Sequence, residues 1–135
     1  IFKMRVTLDT NILVSATISR GNEFKILELV TLGKFELILS LDIISEFRNV
    51  ISRSKFGFSQ KKIDDEVRLL FKLSKIVIPI NTLNIIKDDP SDNKILECAL
   101  AGKADYIISG DEHLLQLREY NGIKIMKTVD FLKLI

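Results

Sequence analysis

The sequence predicts an α/β fold of three layers, α/β/α, with a central parallel sheet of about five strands. Two observations predict it. Short runs of β-branched and aliphatic residues alternate with stretches whose apolar residues recur at the helical period, the order expected of a parallel sheet covered on both faces. Two of those runs also lead directly into an acid: Val6, Thr7 and Leu8 into Asp9, and Tyr106 to Ser109 through Gly110 into Asp111. In open parallel sheets, ligands bind beyond the carboxyl ends of the strands, where both carboxylates fall.

Along the chain, Ile1, Phe2 and Lys3 precede the first strand. After it, Thr10 and Asn11 introduce a second apolar segment, with Asp9 or Asn11 as its helix cap. Asn22 to Leu32 carries Phe24, Ile26, Leu27, Leu29 and Val30 at helical spacing, and Gly33 suits a left-handed C-terminal cap. Phe35 to Leu39 reads as the second strand. Ser40 then caps a helix over Leu41 to Arg53, with Ile43, Ile44, Phe47, Val50 and Ile51 on one stripe. Past Lys55 and Gly57, Ser59 caps a helix built on Ile63, Val67, Leu70 and Phe71. Ile76 to Ile80 reads as the third strand, with Pro79 near its end. Asn81 to Asp88 connects to a helix with Asp89 as N-cap, Pro90 as first residue and Gly102 as terminator. Tyr106 to Ser109 is the fourth strand, Gly122 to Met126 the fifth, and Val129 to Leu134 a closing helix.

The length is that of one domain, 1–135, able to bury a core without disulfides. The single cysteine, Cys98, excludes an internal disulfide framework and fits a reducing compartment; beside its helix's apolar stripe it reads as a small buried residue. No apolar run is long enough to span a bilayer and no signal peptide opens the chain, so a soluble cytoplasmic protein is expected. Abundant Ile, Lys and Glu suit a heat-adapted source. The formal charge of +2 is too mild to announce nucleic acid. Committing four acids to a cation would leave the remaining surface modestly positive, which would suit a polyanionic substrate.

Four acids carry the chemical argument, and each has a plainer reading. Asp9 and Asp111 also suit N-caps. Glu46 lies about a quarter turn off its helix's apolar stripe and also suits an ordinary boundary glutamate. Asp42, one turn earlier, repels it, so one of the two needs another partner. Asp89-Pro90-Ser91-Asp92 resembles a capping box, yet Asp92 shares its face with the inward-pointing Ile95 and Leu96. If the strands bearing Asp9 and Asp111 are neighbours, four carboxylates share one rim. Divalent cations would relieve their repulsion, and an all-oxygen set suits Mg²⁺ or Mn²⁺. Such a centre activates water for in-line attack on a phosphodiester.

The stretches VTLDTNILVSA, SLDIISEFRNVISRSKF, DDPSDNKILECALAGKADYIISGD and IKIMKTVDFL together resemble the PIN-domain nucleases, in particular the stand-alone prokaryotic members assigned as toxins of toxin–antitoxin pairs. The resemblance implies a PIN-like sheet, metal-dependent endonucleolytic cleavage of RNA and a catalytic, metal-holding quartet on Asp9, Glu46, Asp92 and Asp111. Asn11 and Ser109 are implied as supporting residues. A homodimer or higher homo-oligomer and a small antitoxin that blocks the acidic pocket are the implied partners. The chain departs from the family at His113, where relatives often carry Asp. That departure puts a metal contact there in doubt, and a partly exposed first-turn residue is the plainer reading.

Arg48, Arg53 and Lys55, with Arg20, Lys61 and Lys62, are candidate phosphate contacts, although cations on amphipathic helices commonly form only a solvated face. Without Trp and with two Tyr, the chain offers no evident stacking platform for bases. Two other readings compete. One is a PIN scaffold of weak catalysis that holds RNA or a protein; an intact quartet argues against it. The other is a haloacid-dehalogenase-type phosphatase with Asp9 as nucleophile, which wants Asp where this chain has Asn11.

Overall fold

The computed structural model describes residues 3–135; Ile1 and Phe2 lie outside the described residues. The order is β1 (Arg5–Leu8), α1 (Thr10–Ile18), α2 (Asn22–Thr31), β2 (Glu36–Ser40), α3 (Leu41–Ile51), α4 (Gln60–Leu73), β3 (Ser74–Val77), α5 (Asp92–Ala101), β4 (Tyr106–Ile108), α6 (Glu112–Leu117), β5 (Glu119–Tyr120), β6 (Ile123–Met126) and α7 (Thr128–Leu132). Among the described residues these make a six-stranded sheet, ordered β3-β2-β1-β4-β6-β5, flanked by seven helices. Every pairing is parallel except β5 with β6.

The local signals act as their chemistry requires. Ser40 accepts the Ile43 N–H at 3.3 Å and Ser59 the Lys62 N–H at 3.1 Å. Gly33, at φ 75°, closes α2: its N–H reaches the Val30 carbonyl at 2.9 Å while the Lys34 N–H reaches that of Leu29 at 3.0 Å. Central strands are apolar without alternation because helices cover both faces: Val6, Leu8, Leu37, Ile38, Leu39, Ile107 and Ile108 are all buried.

Three expectations need correction. The third strand begins at Ser74 and ends at Val77, because its partner β2 turns into α3 after Ser40 and offers nothing further to pair with. Ile78 and Ile80 therefore lie outside the sheet, 79% and 91% exposed. The second correction is a sixth strand: Glu119–Tyr120 folds back on β6 through Asn121 and Gly122, at φ 49° and 82°. Asn-Gly is a strong hairpin signal, present but unused in the sequence reading.

Gly102 closes α5 as expected, its N–H reaching the Cys98 carbonyl at 2.9 Å. It has φ −86°, and the left-handed residue is Lys103 at φ 52°. A Cβ on Gly102 would overlap the buried Ile38 side chain, so glycine is required by the close approach of α5 to β2. The third correction is at the other end of this helix: α5 begins at Asp92 rather than Pro90. Asp89 accepts the Ser91 hydroxyl at 2.6 Å instead of capping, and Asp89 to Ser91 form a tight lead-in turn.

The strand order places the functional end. The chain winds outward from β1 through β2 to β3, then returns over α5 to lay β4 on the other side of β1. The order reverses between β1 and β4, which opens a crevice at their carboxyl ends. Among the described residues no helix is long and apolar enough to cross a membrane.

Substituting Gly102→Ala is expected to destabilise the fold by about 1–3 kcal/mol through overpacking against Ile38. Lys103→Gly, which relieves the left-handed backbone, should stabilise it by up to about 1 kcal/mol. Urea unfolding with unchanged m-values checks both.

Candidate functional site

The register of β1 against β4 pairs Leu8 with Ile108, and the Asp9 N–H continues that ladder to the Ile108 carbonyl at 3.1 Å. Asp9 is thereby set beside Ser109. Its Oδ1 accepts the Ile12 N–H at 3.0 Å, capping α1, and its Oδ2 accepts the buried Ser109 hydroxyl. Ser109 in turn accepts the Asp111 N–H at 2.9 Å, joining the ends of the two strands. Asp111 caps α6 by accepting the His113 N–H at 2.8 Å. The capping reading of both aspartates is correct, and it coexists with a shared cavity.

That cavity, about 140 Å³, is lined by Asp9, Glu46, Asp89, Asp92 and Asp111 among others. The four acids singled out in the sequence thus meet at the crevice between β1 and β4. Glu46 is exposed at the mouth, where the Thr10 hydroxyl donates to its Oε2 at 3.2 Å. Its neighbour Asp42 turns away to Lys94, 3.9 Å distant. Asn11 is exposed and borders both this cavity and an adjoining hollow of about 580 Å³, whose wall includes Lys127 and Thr128.

Asp92 is buried almost as deeply as Asp9 but without its hydrogen bonds. It is 7% exposed, and its Oδ2 is buried without a hydrogen-bond partner. Burial first, then Asp111, Asp89 and Asp9, push its carboxyl up to about 8. Asp9 is also raised by burial, against the lowering effect of Ser109 and the Ile12 amide. Ionised carboxylates cannot donate hydrogen bonds, so the group is satisfied by a retained proton or by a cation.

A divalent cation fits these residues on two counts. Asp92 Oδ2 is an orphaned buried acceptor, and Asp89, Asp92, Asp111 and His113 each offer a ligand atom within 4.8 Å of the others. Ligand atoms around an ion at about 2.1 Å stand about 3 Å apart when adjacent and about 4 Å when opposite, so a modest contraction suffices.

Other residues lie elsewhere. Arg48 is held by Asp64 of α4 at 2.9 Å, Lys55 stacks on Phe56 at 5.1 Å, and neither they nor Arg53 line the cavity. Cys98 is fully buried, its thiol pushed up to about 12 by burial. Sequence reasoning overlooked Thr10 and assigned Asp89 only to a cap, although Asp89 stands three residues before Asp92. It also passed over Asn93 and Glu97, buried polar residues on α5. Asn93 Oδ1 accepts the Ile85 and Ile86 N–H groups at 3.0 and 2.9 Å, and Glu97 accepts that of Leu83 at 3.0 Å. They moor the irregular connection that delivers Asp89.

The chain matches the PIN domain over residues 5–113. It is 32% identical over 126 residues to an uncharacterized protein of Methanocaldococcus jannaschii, across 88% of this chain and 78% of that protein. Its fold is similar to one in the crystal structure of VapBC2 from Rickettsia felis bound to a DNA fragment from their promoter. That match has a TM-score of 0.60 and 18% identity, covering 90% of this chain and 97% of the other.

A pH dependence follows for the cation-free protein. Asp92 holds a proton to about pH 8 when folded and releases it near 3.8 when unfolded, so the folded state binds more protons between those values. Its contribution to stability is present below about pH 4 and lost as pH rises through 8. Asp92→Asn is therefore expected to melt higher than the parent at pH 8, by roughly 5 °C, with the gap narrowing toward pH 4. Thermal melts in EDTA check the sign.

Proposed function

The chain belongs to the PIN domain family, and on that premise we propose that it is a metal-dependent endoribonuclease, with Asp9, Glu46, Asp92 and Asp111 as its catalytic and metal-holding carboxylates. The observation that carries the reading is Asp92, which lines one cavity with the other three and has its Oδ2 buried without a partner. A folded chain gains nothing in stability by crowding these acids; unit like charges about 4 Å apart repel by about 4 kcal/mol at an effective dielectric of about 20.

When bound, Mg²⁺ or Mn²⁺ neutralises this charge, lowers the pKa of a coordinated water and stabilises the leaving oxygen of an in-line hydrolysis. The chain's own part is positional. Asp92 and Asp111 would hold the cation. Asp9 cannot swing, because Ser109 and the Ile12 amide grip both its oxygens. Glu46, steered by Thr10, is the carboxylate at the mouth that accepts a proton from the attacking water. Asn11 orients the substrate phosphate or that water.

The adjoining hollow accommodates the nucleotide beside the scissile bond, with Lys127 as the phosphate contact next to the cavity. Arg53 and Lys55 contact the strand farther out, whereas Arg48 is committed to Asp64. The fold shared with a VapBC2 chain supports a toxin role with a small antitoxin as partner, and a homodimer is the proposed assembly.

Incubation of single-stranded and structured RNA with Mg²⁺ or Mn²⁺ tests the activity. Asp9→Asn should lower turnover by about a hundredfold or more while the fold persists, and EDTA should abolish cleavage. Equal turnover in parent and variant, or cleavage in EDTA, overturns the proposal. Phosphoryl-aspartate formed on Asp9 would instead favour phosphatase chemistry.

A further inference from the structure

We infer that Asp89 and His113 complete the cation pocket with Asp92 and Asp111, giving it one nitrogen donor and a preference for a transition-metal dication over Mg²⁺. This rests on the metal-centre reading above and adds ligands outside the expected quartet. The four residues come from two places: Asp89 and Asp92 from the moored turn that starts α5, Asp111 and His113 from the first turn of α6. Each brings a ligand atom within 4.8 Å of the other three.

His113 is half-buried, its Nδ1 3.6 Å from Asp111 Oδ1. That separation is too long for a good hydrogen bond, so Asp111 does not consume the imidazole. It is close to the spacing of two neighbouring donors on one ion. Asp89 is held through Oδ1 by the Ser91 hydroxyl, which orients the carboxylate and leaves Oδ2 for another partner.

The independent pointer to a ligand is again Asp92 Oδ2, a buried acceptor without a hydrogen-bond partner among the described residues. The nearest lysine on α5, Lys94, lies between Asp42 and Glu97, 3.9 and 3.5 Å away. A cation from outside the polypeptide would displace the retained proton and take that acceptor as a ligand. Three carboxylates and one imidazole define its class. Mg²⁺ favours oxygen ligands and retains waters, whereas an imidazole suits later divalent ions such as Co²⁺ or Zn²⁺ and is accepted by Mn²⁺.

His113 is the only histidine, so its imidazole signals are unambiguous in a spectrum of the whole chain. Titration with Zn²⁺, followed by long-range nitrogen–proton correlation, should move one imidazole nitrogen together with the Asp92 and Asp111 amides. Mg²⁺ should move those amides only at concentrations at least tenfold higher and leave the ring unchanged. By calorimetry, His113→Ala should weaken Co²⁺ binding at least tenfold and Mg²⁺ binding less than about twofold, and Asp89→Asn should weaken both. If Zn²⁺ shifts the amides but not the ring, or His113→Ala binds Co²⁺ like the parent, this inference fails and the metal-centre reading survives. If neither Zn²⁺ nor Mg²⁺ shifts the amides, both fail.

Discussion

The parallel pairing of β1 with β4 is the contact on which the site depends. It joins segments about a hundred residues apart and aligns Leu8 with Ile108, so Asp9 and Ser109 emerge side by side. Shifting that register by one residue would reverse which side chains enter the core and separate Asp9 from Ser109. The buried aliphatic residues of both strands resist such a slip. Hydrophobic packing in the sheet is what holds the polar end in place.

That end is costly. Two carboxylates are raised by burial, and one keeps an oxygen without a partner. Breaking or burying charge without compensation destabilises proteins by several kcal/mol, so the rest of the fold must carry the deficit. The chain limits it with donors aimed at individual oxygens: the Ile12 amide and Ser109 on Asp9, Thr10 on Glu46, the His113 amide on Asp111. Asp92 receives no such donor. Helix capping and site assembly are the same act here, since the amides that fix Asp9 and Asp111 open α1 and α6.

The irregular connection after β3 illustrates a second economy. It leaves the sheet when β2 ends and would carry unsatisfied backbone groups across α5. Asn93 and Glu97 accept three of its amides, and the Ile85 and Ile86 region is pinned to the helix whose first residue is Asp92. These three hydrogen bonds anchor the connection to α5 ahead of Asp89, which lines the cavity.

Nearest-neighbour chemistry was legible in the chain by itself. Apolar periodicity located the strands and helices, Ser40 and Ser59 announced their caps, Gly33 its turn, Asp9, Asp92 and Asp111 stood out as acids at strand ends or a helix start, and Glu46 as one beside its helix's apolar stripe. Those signals act over a few residues, so a linear reading contains them. What needed the folded molecule was everything set by which strands and helices touch. Arg48 answers Asp64 across two helices, Gly102 is glycine because of Ile38, and β3 stops because its neighbour does. Asp89 and His113 are 24 positions apart in sequence, and only the packing of α5 and α6 around the end of β4 brings them within reach of one ion. Local sequence sets what each segment can become; the long-range register, paid for by burial of the sheet, decides which side chains meet.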